Sequence, residues 1–162
     1  DIKMGTLSKT IPSVGGYVAA KQEIINYLRH ASRAYIFSAA LPPAQAAAAN
    51  EAFKVILDEP ERIEKLNLNT KQFIGGLKAM GFDTMLTETA IVPVLCDTDE
   101  MAFAMTRESQ HNDVFVLPVV SPAVPEGLAR LRATVTAAHD PSEIERAMDV
   151  IGEAGKKLGL IK

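Results

Sequence analysis

The sequence predicts a mixed α/β fold, and three observations predict it. Apolar runs of strand length recur at residues 91–96, 114–120 and 129–137. Stretches with helical spacing of apolar residues lie between and around them. The C-terminal end carries a full set of helix start signals. Strands and helices mixed in this way pack as α/β or α+β layers around a shared core.

Residues 2–20 are rich in Gly, Ser and Thr and end in the apolar run Gly16-Tyr17-Val18-Ala19-Ala20, which reads as a loop entering a buried strand. Ile24, Ile25 and Leu28 then recur at helical spacing. Pro42-Pro43 punctuates the chain, and proline suits the first turn of the next helix. Alanine has the best helix propensity, so that helix runs through the alanine-rich stretch at 44–52 to about residue 57. Asp58-Glu59-Pro60 breaks it. Ile63, Leu66, Phe73, Ile74, Leu77 and Met80 then form a stripe that Gly81 terminates.

Pro93, inside the strand at 91–96, requires an edge position or a bulge because it cannot donate to a ladder. Asp97 and Glu100 form a capping-box pattern for a helix over 98–110. In the strand at 129–137, Leu131, Ala133 and Val135 alternate with Arg130, Arg132, Thr134 and Thr136, so both arginines share one face. Asp140 caps the last helix, with Pro141 at its first position and Glu143 completing the box. Its buried stripe is Ile144, Met148, Ile151 and Leu158.

Length and composition bound the function. The chain has 162 residues, 48% of them hydrophobic and 23% charged, enough for a real core in about one domain. A net charge of −3 leaves no electrostatic footprint for nucleic acid. No apolar run has the length of a membrane span. One cysteine, Cys96, excludes an internal disulfide and a cysteine metal cluster, and a cytoplasmic, reducing setting is expected. No acidic pair points to a metal. Cys96 reads as a small buried hydrophobe, and His30 and His111 as surface residues. His139, where strand passes to helix, reads as structural.

The chemistry is concentrated in Gly5-Thr6-Leu7-Ser8-Lys9, followed by Gly15-Gly16. The spacing of a phosphate-binding Walker loop is absent. Thr6-x-x-Lys9 has the form of one acyl-enzyme motif whose companion motifs are missing. Taken alone, such a loop is most often a solvated turn.

The wider pattern is more specific. Gly5 to Lys9, Gly15-Gly16-Tyr17-Val18 and Tyr35-Ile36-Phe37-Ser38-Ala39-Ala40-Leu41-Pro42-Pro43 follow in order. Val114-Phe115-Val116-Leu117-Pro118, then Pro122-Ala123-Val124-Pro125, and Arg130-Leu131-Arg132-Ala133-Thr134-Val135-Thr136-Ala137-Ala138-His139 complete the series. In order and spacing, over essentially the whole chain, this resembles the α-oxoamine synthases, pyridoxal-phosphate enzymes of the fold type I aminotransferase class.

The resemblance implies the end of a large cofactor-binding domain at residues 1–45, and linking helices with a small C-terminal α/β domain at 46–162. Lys9 falls on the lysine that links covalently to pyridoxal 5'-phosphate, and it must be neutral to attack an aldehyde. Thr6 matches a hydroxyl that binds the cofactor phosphate. Ser38 falls in the segment that reaches that phosphate from the partner subunit, which implies a homodimer with a shared site. Arg132 matches the arginine that grips the amino-acid carboxylate, a task suited to its planar fork. Ala39 stands where the family often has Thr, and Ile11-Pro12 where it often has Phe-Gly.

The implied reaction condenses a small amino acid with an acyl thioester, on coenzyme A or a carrier protein, to give an α-amino ketone. Lys9 would remove the α-proton once it is free. The residues that pair with and stack on the cofactor ring belong to an upstream half that these residues lack, so the chain alone is expected to be inactive. Two other readings stay open: a non-catalytic partner subunit of such an enzyme, and an aminotransferase.

Overall fold

The computed structural model describes residues 1–162. They form two compact units, Asp1–Pro60 and Glu61–Lys162, which divide where Asp58-Glu59-Pro60 ends a helix. No helix is long and apolar enough to cross a membrane.

In the first unit, β1 (Lys3–Thr6) pairs antiparallel with β2 (Gly16–Ala19), placing Lys3 opposite Ala19 and Thr6 opposite Gly16. This corrects two expectations. The start of the chain forms a strand of its own rather than a loop, and β2 is exposed along its length rather than buried. The glycines explain the pairing, because a Cβ on Gly16 would lie 2.7 Å from the Gly5 carbonyl oxygen. Gly15, at φ +81°, turns the chain back, and its carbonyl accepts the Leu7 N–H at 2.9 Å.

Helices α1 (Gln22–Ala31), α2 (Arg33–Ile36) and α3 (Pro43–Asp58) follow. The short α2 was not foreseen. Pro43 opens α3 and the alanines fill its interior, as the sequence predicts. The buried core of this unit is small: Leu7 and Ile11 meet Ala49 of α3, with Ala52 and Ile56 alongside. Ser13 ties the loop to α3 by donating to the Gln45 carbonyl at 2.8 Å.

The second unit is a three-stranded antiparallel sheet in the order β3 (Ile91–Asp97), β5 (Ala129–Thr134), β4 (Leu117–Val119), with helices α4 (Glu61–Ala79), α5 (Asp99–His111) and α6 (Pro141–Leu158). Pro93 lies on edge strand β3 in regular register with Arg132, so the edge position accommodates it; the register shift comes later, between Leu95 and Asp97. β4 and β5 are shorter than the apolar runs that predict them.

Helix α5 packs on one face of the sheet and against α6, which also packs on α4. Val92, Val94, Leu131, Ala133, Met105, Leu77 and Ile151 are buried in the shared core. The helices approach closely because Gly76 leaves room for the Met148 sulfur and Gly152 for that of Met80.

The caps agree with the sequence except at one position. Both halves of the Asp140–Glu143 capping box form, and Gly159 ends α6 at φ +75°. Leu158, expected in the buried stripe, is only half-buried. The N-cap of α5 is Thr98 rather than Asp97, and its hydroxyl accepts the Met101 N–H at 3.2 Å. Asp97 ends β3 in the left-handed region (φ +61°), so the helix begins one residue later.

Candidate functional site

The loop after β1 carries the first group of candidates. Leu7 is anchored in the core, and its neighbours Thr6, Ser8 and Lys9 are left exposed. The Thr6 and Ser8 hydroxyls lie 2.9 Å apart, and Thr6 also donates to the Gly15 carbonyl at 3.3 Å. The Lys9 ammonium makes no hydrogen bond or ion pair within the chain. One short loop therefore presents two hydroxyls, which suit phosphate oxygens, and an unengaged amine, which suits an aldehyde. In donor chemistry, these residues fit pyridoxal phosphate.

Thr6 also lines an open cavity of about 680 Å³ between the β1–β2 ribbon and α1–α2. Gly5, Gly15 and Gly16 form one wall, and Leu28, Arg29 and Tyr35 face them. Arg29 and Tyr35 were not singled out from sequence, since a lone arginine and an aromatic on short helices carry no spacing signal. Lys9 and Ser38 do not line this cavity. Ser38 is exposed just beyond α2, with its hydroxyl donating back to the Ala34 carbonyl.

Arg132 belongs to the second unit, on the central strand β5. The predicted alternation holds: Ala129, Leu131 and Ala133 are buried, and Arg132 and Thr134 are exposed on the opposite face. Arg132 stands between Pro93 of β3 and Leu117 of β4 in register. No anion within the chain pairs with it. Arg130 shares that face, but its guanidinium is engaged, donating to the Leu128 carbonyl at 2.9 Å and contacting the Met85 sulfur at 3.1 Å. Arg130 is therefore structural, while Arg132 is an uncompensated cation between apolar neighbours, a setting that favours a carboxylate.

Cys96 is buried, and burial, with some help from the charge of Asp97, pushes its thiol up to about 11. It is an inert core residue, as expected. No group of His, Cys, Asp and Glu side chains is arranged to hold a metal.

Comparison with known proteins places this mixed α/β fold among pyridoxal-phosphate transferase structures. The aminotransferase class I and II pattern matches residues 1–151, and the chain belongs to that family. It is 44% identical over 160 residues to 8-amino-7-oxononanoate synthase 1 of Bacillus velezensis, and 42% identical over 161 residues to the 8-amino-7-oxononanoate synthase of Thermoanaerobacter pseudethanolicus. Among solved structures it matches serine palmitoyltransferase from S. paucimobilis with a bound PLP-myriocin aldimine, at 34% identity and a TM-score of 0.92 over 99% of this chain. The α-oxoamine synthase resemblance thus holds over the whole chain. The match spans 99% of this chain but only 41% of each of these three relatives.

Proposed function

We propose that this chain is the C-terminal portion of a pyridoxal-phosphate-dependent C-acyltransferase that condenses a small amino acid with an acyl thioester, such as an acyl-CoA or acyl carrier protein, to give an α-amino ketone. The observation that carries the reading is the Thr6–Lys9 loop: two exposed hydroxyls beside an unengaged amine, within a chain whose relatives include α-oxoamine synthases. In this reading residues 1–45 end the large cofactor-binding domain, and 46–162 supply linking helices and the small domain.

When bound, the cofactor would serve as an electron sink for the carbon that loses its proton. Lys9 would hold it covalently and, once released, its Nζ would take that proton. Thr6 would donate its hydroxyl to the phosphate after leaving the Gly15 carbonyl. Arg132 would hold the substrate carboxylate through parallel N–H donors, orienting the amino acid. Ser38 would reach the cofactor of a partner subunit in a homodimer, which requires its hydroxyl to rotate away from Ala34.

Borohydride trapping with pyridoxal phosphate, followed by peptide mapping of the longer protein, tests the assignment. A pyridoxyl adduct on Lys9, absent in Lys9→Ala, is expected. Arg132→Ala should raise KM for the amino acid by roughly tenfold or more, the loss of a charge-assisted bidentate contact. No adduct at Lys9 in a folded protein would turn the reading to a non-catalytic partner subunit. Amino transfer to an oxo acid would turn it to an aminotransferase.

A further inference from the structure

His139 closes the Arg130–His139 motif, yet neither Lys9 nor Arg132 gives it a task. The structure holds it firmly. Asn69 of α4, only 3% exposed, donates to the carbonyls of Thr136 at 3.0 Å and His139 at 2.9 Å, fixing the turn between β5 and α6. The Thr136 N–H donates to His139 Nδ1 at 3.3 Å, which places the proton of the neutral ring on Nε2. A half-buried imidazole is thus set in one tautomer with a donor to spare.

That imidazole lines a cleft of about 320 Å³ that lies wholly within the second unit. Its floor is apolar, formed by core residues such as Phe73, Val116, Val135 and Ile144. Its polar lining is Thr134, His139, Glu143, Asp113 and Arg146. Glu143 is committed to the Asp140 N–H at 2.8 Å in the capping box. Arg146 meets Asp113 by one long contact, 3.3 Å, between groups that are 62% and 85% exposed. Such a pair is weak and exchangeable. Release of Asp113 would leave two donors, the Arg146 guanidinium and His139 Nε2–H, above an apolar slot.

We propose that this cleft is a second ligand site, built from residues other than Lys9 and Arg132, which takes a straight-chain aliphatic carboxylate. The tail would lie on the Phe73–Ile144 floor. The headgroup would replace Asp113 on Arg146 and accept from His139. A neutral chain of equal length gains only the floor, so the headgroup sets the preference.

The test is titration of the 162-residue chain with sodium octanoate, followed by amide and imidazole NMR shifts, with octan-1-ol as the neutral probe. Saturable shifts centred on residues 113–116 and 139–147 are expected, with octan-1-ol at least about tenfold weaker. Arg146→Gln should weaken octanoate by a similar factor. Asp113→Asn, which tolerates the positive φ of this position (+62°), should tighten it by removing the competing anion. Both substitutions are at exposed positions, so the fold is retained. The proposal is overturned by shifts that do not saturate, by shifts centred elsewhere, by equal binding of the alcohol, or by unchanged or weaker binding in Asp113→Asn.

Discussion

The two compact units use similar apolar patterns and reach different ends. In the second, most of each apolar stripe finds a layer to bury against, although Ile63 at the start of α4 and Phe115 stay exposed. The central strand β5 is paired on both sides, α5 covers one face, and Leu131, Ile151 and Leu77 are fully enclosed. In the first, α1 is amphipathic but buries no residue, and Leu7, Ile11 and Ala49 are the only buried core. Tyr27 is 70% exposed and Phe37 80%. A two-stranded ribbon with one short helix pair and one long helix cannot enclose its own apolar surface. Periodicity states which face is to be covered, and says nothing of whether the cover lies within the same residues.

The largest expected effect tests that contrast directly. Leu131→Ala should cost about 3 kcal/mol, because its enclosed site cannot collapse around the void. Leu7→Ala should cost about half as much or less, since its few neighbours are free to relax. Urea unfolding followed by circular dichroism reads both. Equal losses would mean that the first unit is as tightly built as the second, and would break the comparison.

The same contrast governs how much was legible from the sequence. Features written in local chemistry are readable: the capping box of α6, Pro43 at the start of α3, Pro93 on an edge strand, and the two faces of β5. Misreadings occurred where the outcome depends on distant partners. The run at 16–20 has strand composition and forms a strand, but nothing in the described residues buries it. Asp97 has the chemistry of an N-cap, and the register shift that ends β3 passed that role to Thr98. Candidate residues followed the same rule. Spacing put Arg130 and Arg132 on one face, but only geometry showed that Arg130 is tied to Leu128 and Met85 while Arg132 is free. Asn69, a polar residue inside an apolar stripe, carried a signal in its position that became legible only with the turn it holds.

A smaller effect isolates the second unit by pH. The Cys96 thiol is raised to about 11 in the fold from an ordinary 9.0. The folded state therefore retains a proton that the unfolded chain loses first, and its contribution to stability falls as pH rises from 9 toward 11. At about 1.4 kcal/mol per unit, the loss is on the order of 2 kcal/mol. Urea titrations at several alkaline pH values, compared with Cys96→Ala, isolate the share of Cys96. The variant should show a shallower decline. Parallel declines would mean that Cys96 is less well enclosed than the core around it.

The smallest expected effect sharpens the comparison most. Phe37 lies just beyond α2 and is 80% exposed, so Phe37→Ser in this chain should change stability by no more than about 0.5 kcal/mol. If the proposed function is right, the longer protein covers this face, and the same substitution there removes a buried aromatic at a cost of about 3 kcal/mol or more. The ratio of the two losses measures how much of the first unit is built by residues other than these. Leu131→Ala is the internal standard, because its site is complete within the second unit and its cost should be nearly the same in both settings. A Phe37 substitution that stays neutral in the longer protein would leave this aromatic on an outer surface, and the cover for the first unit would have to lie on the side of β1, β2 and α1.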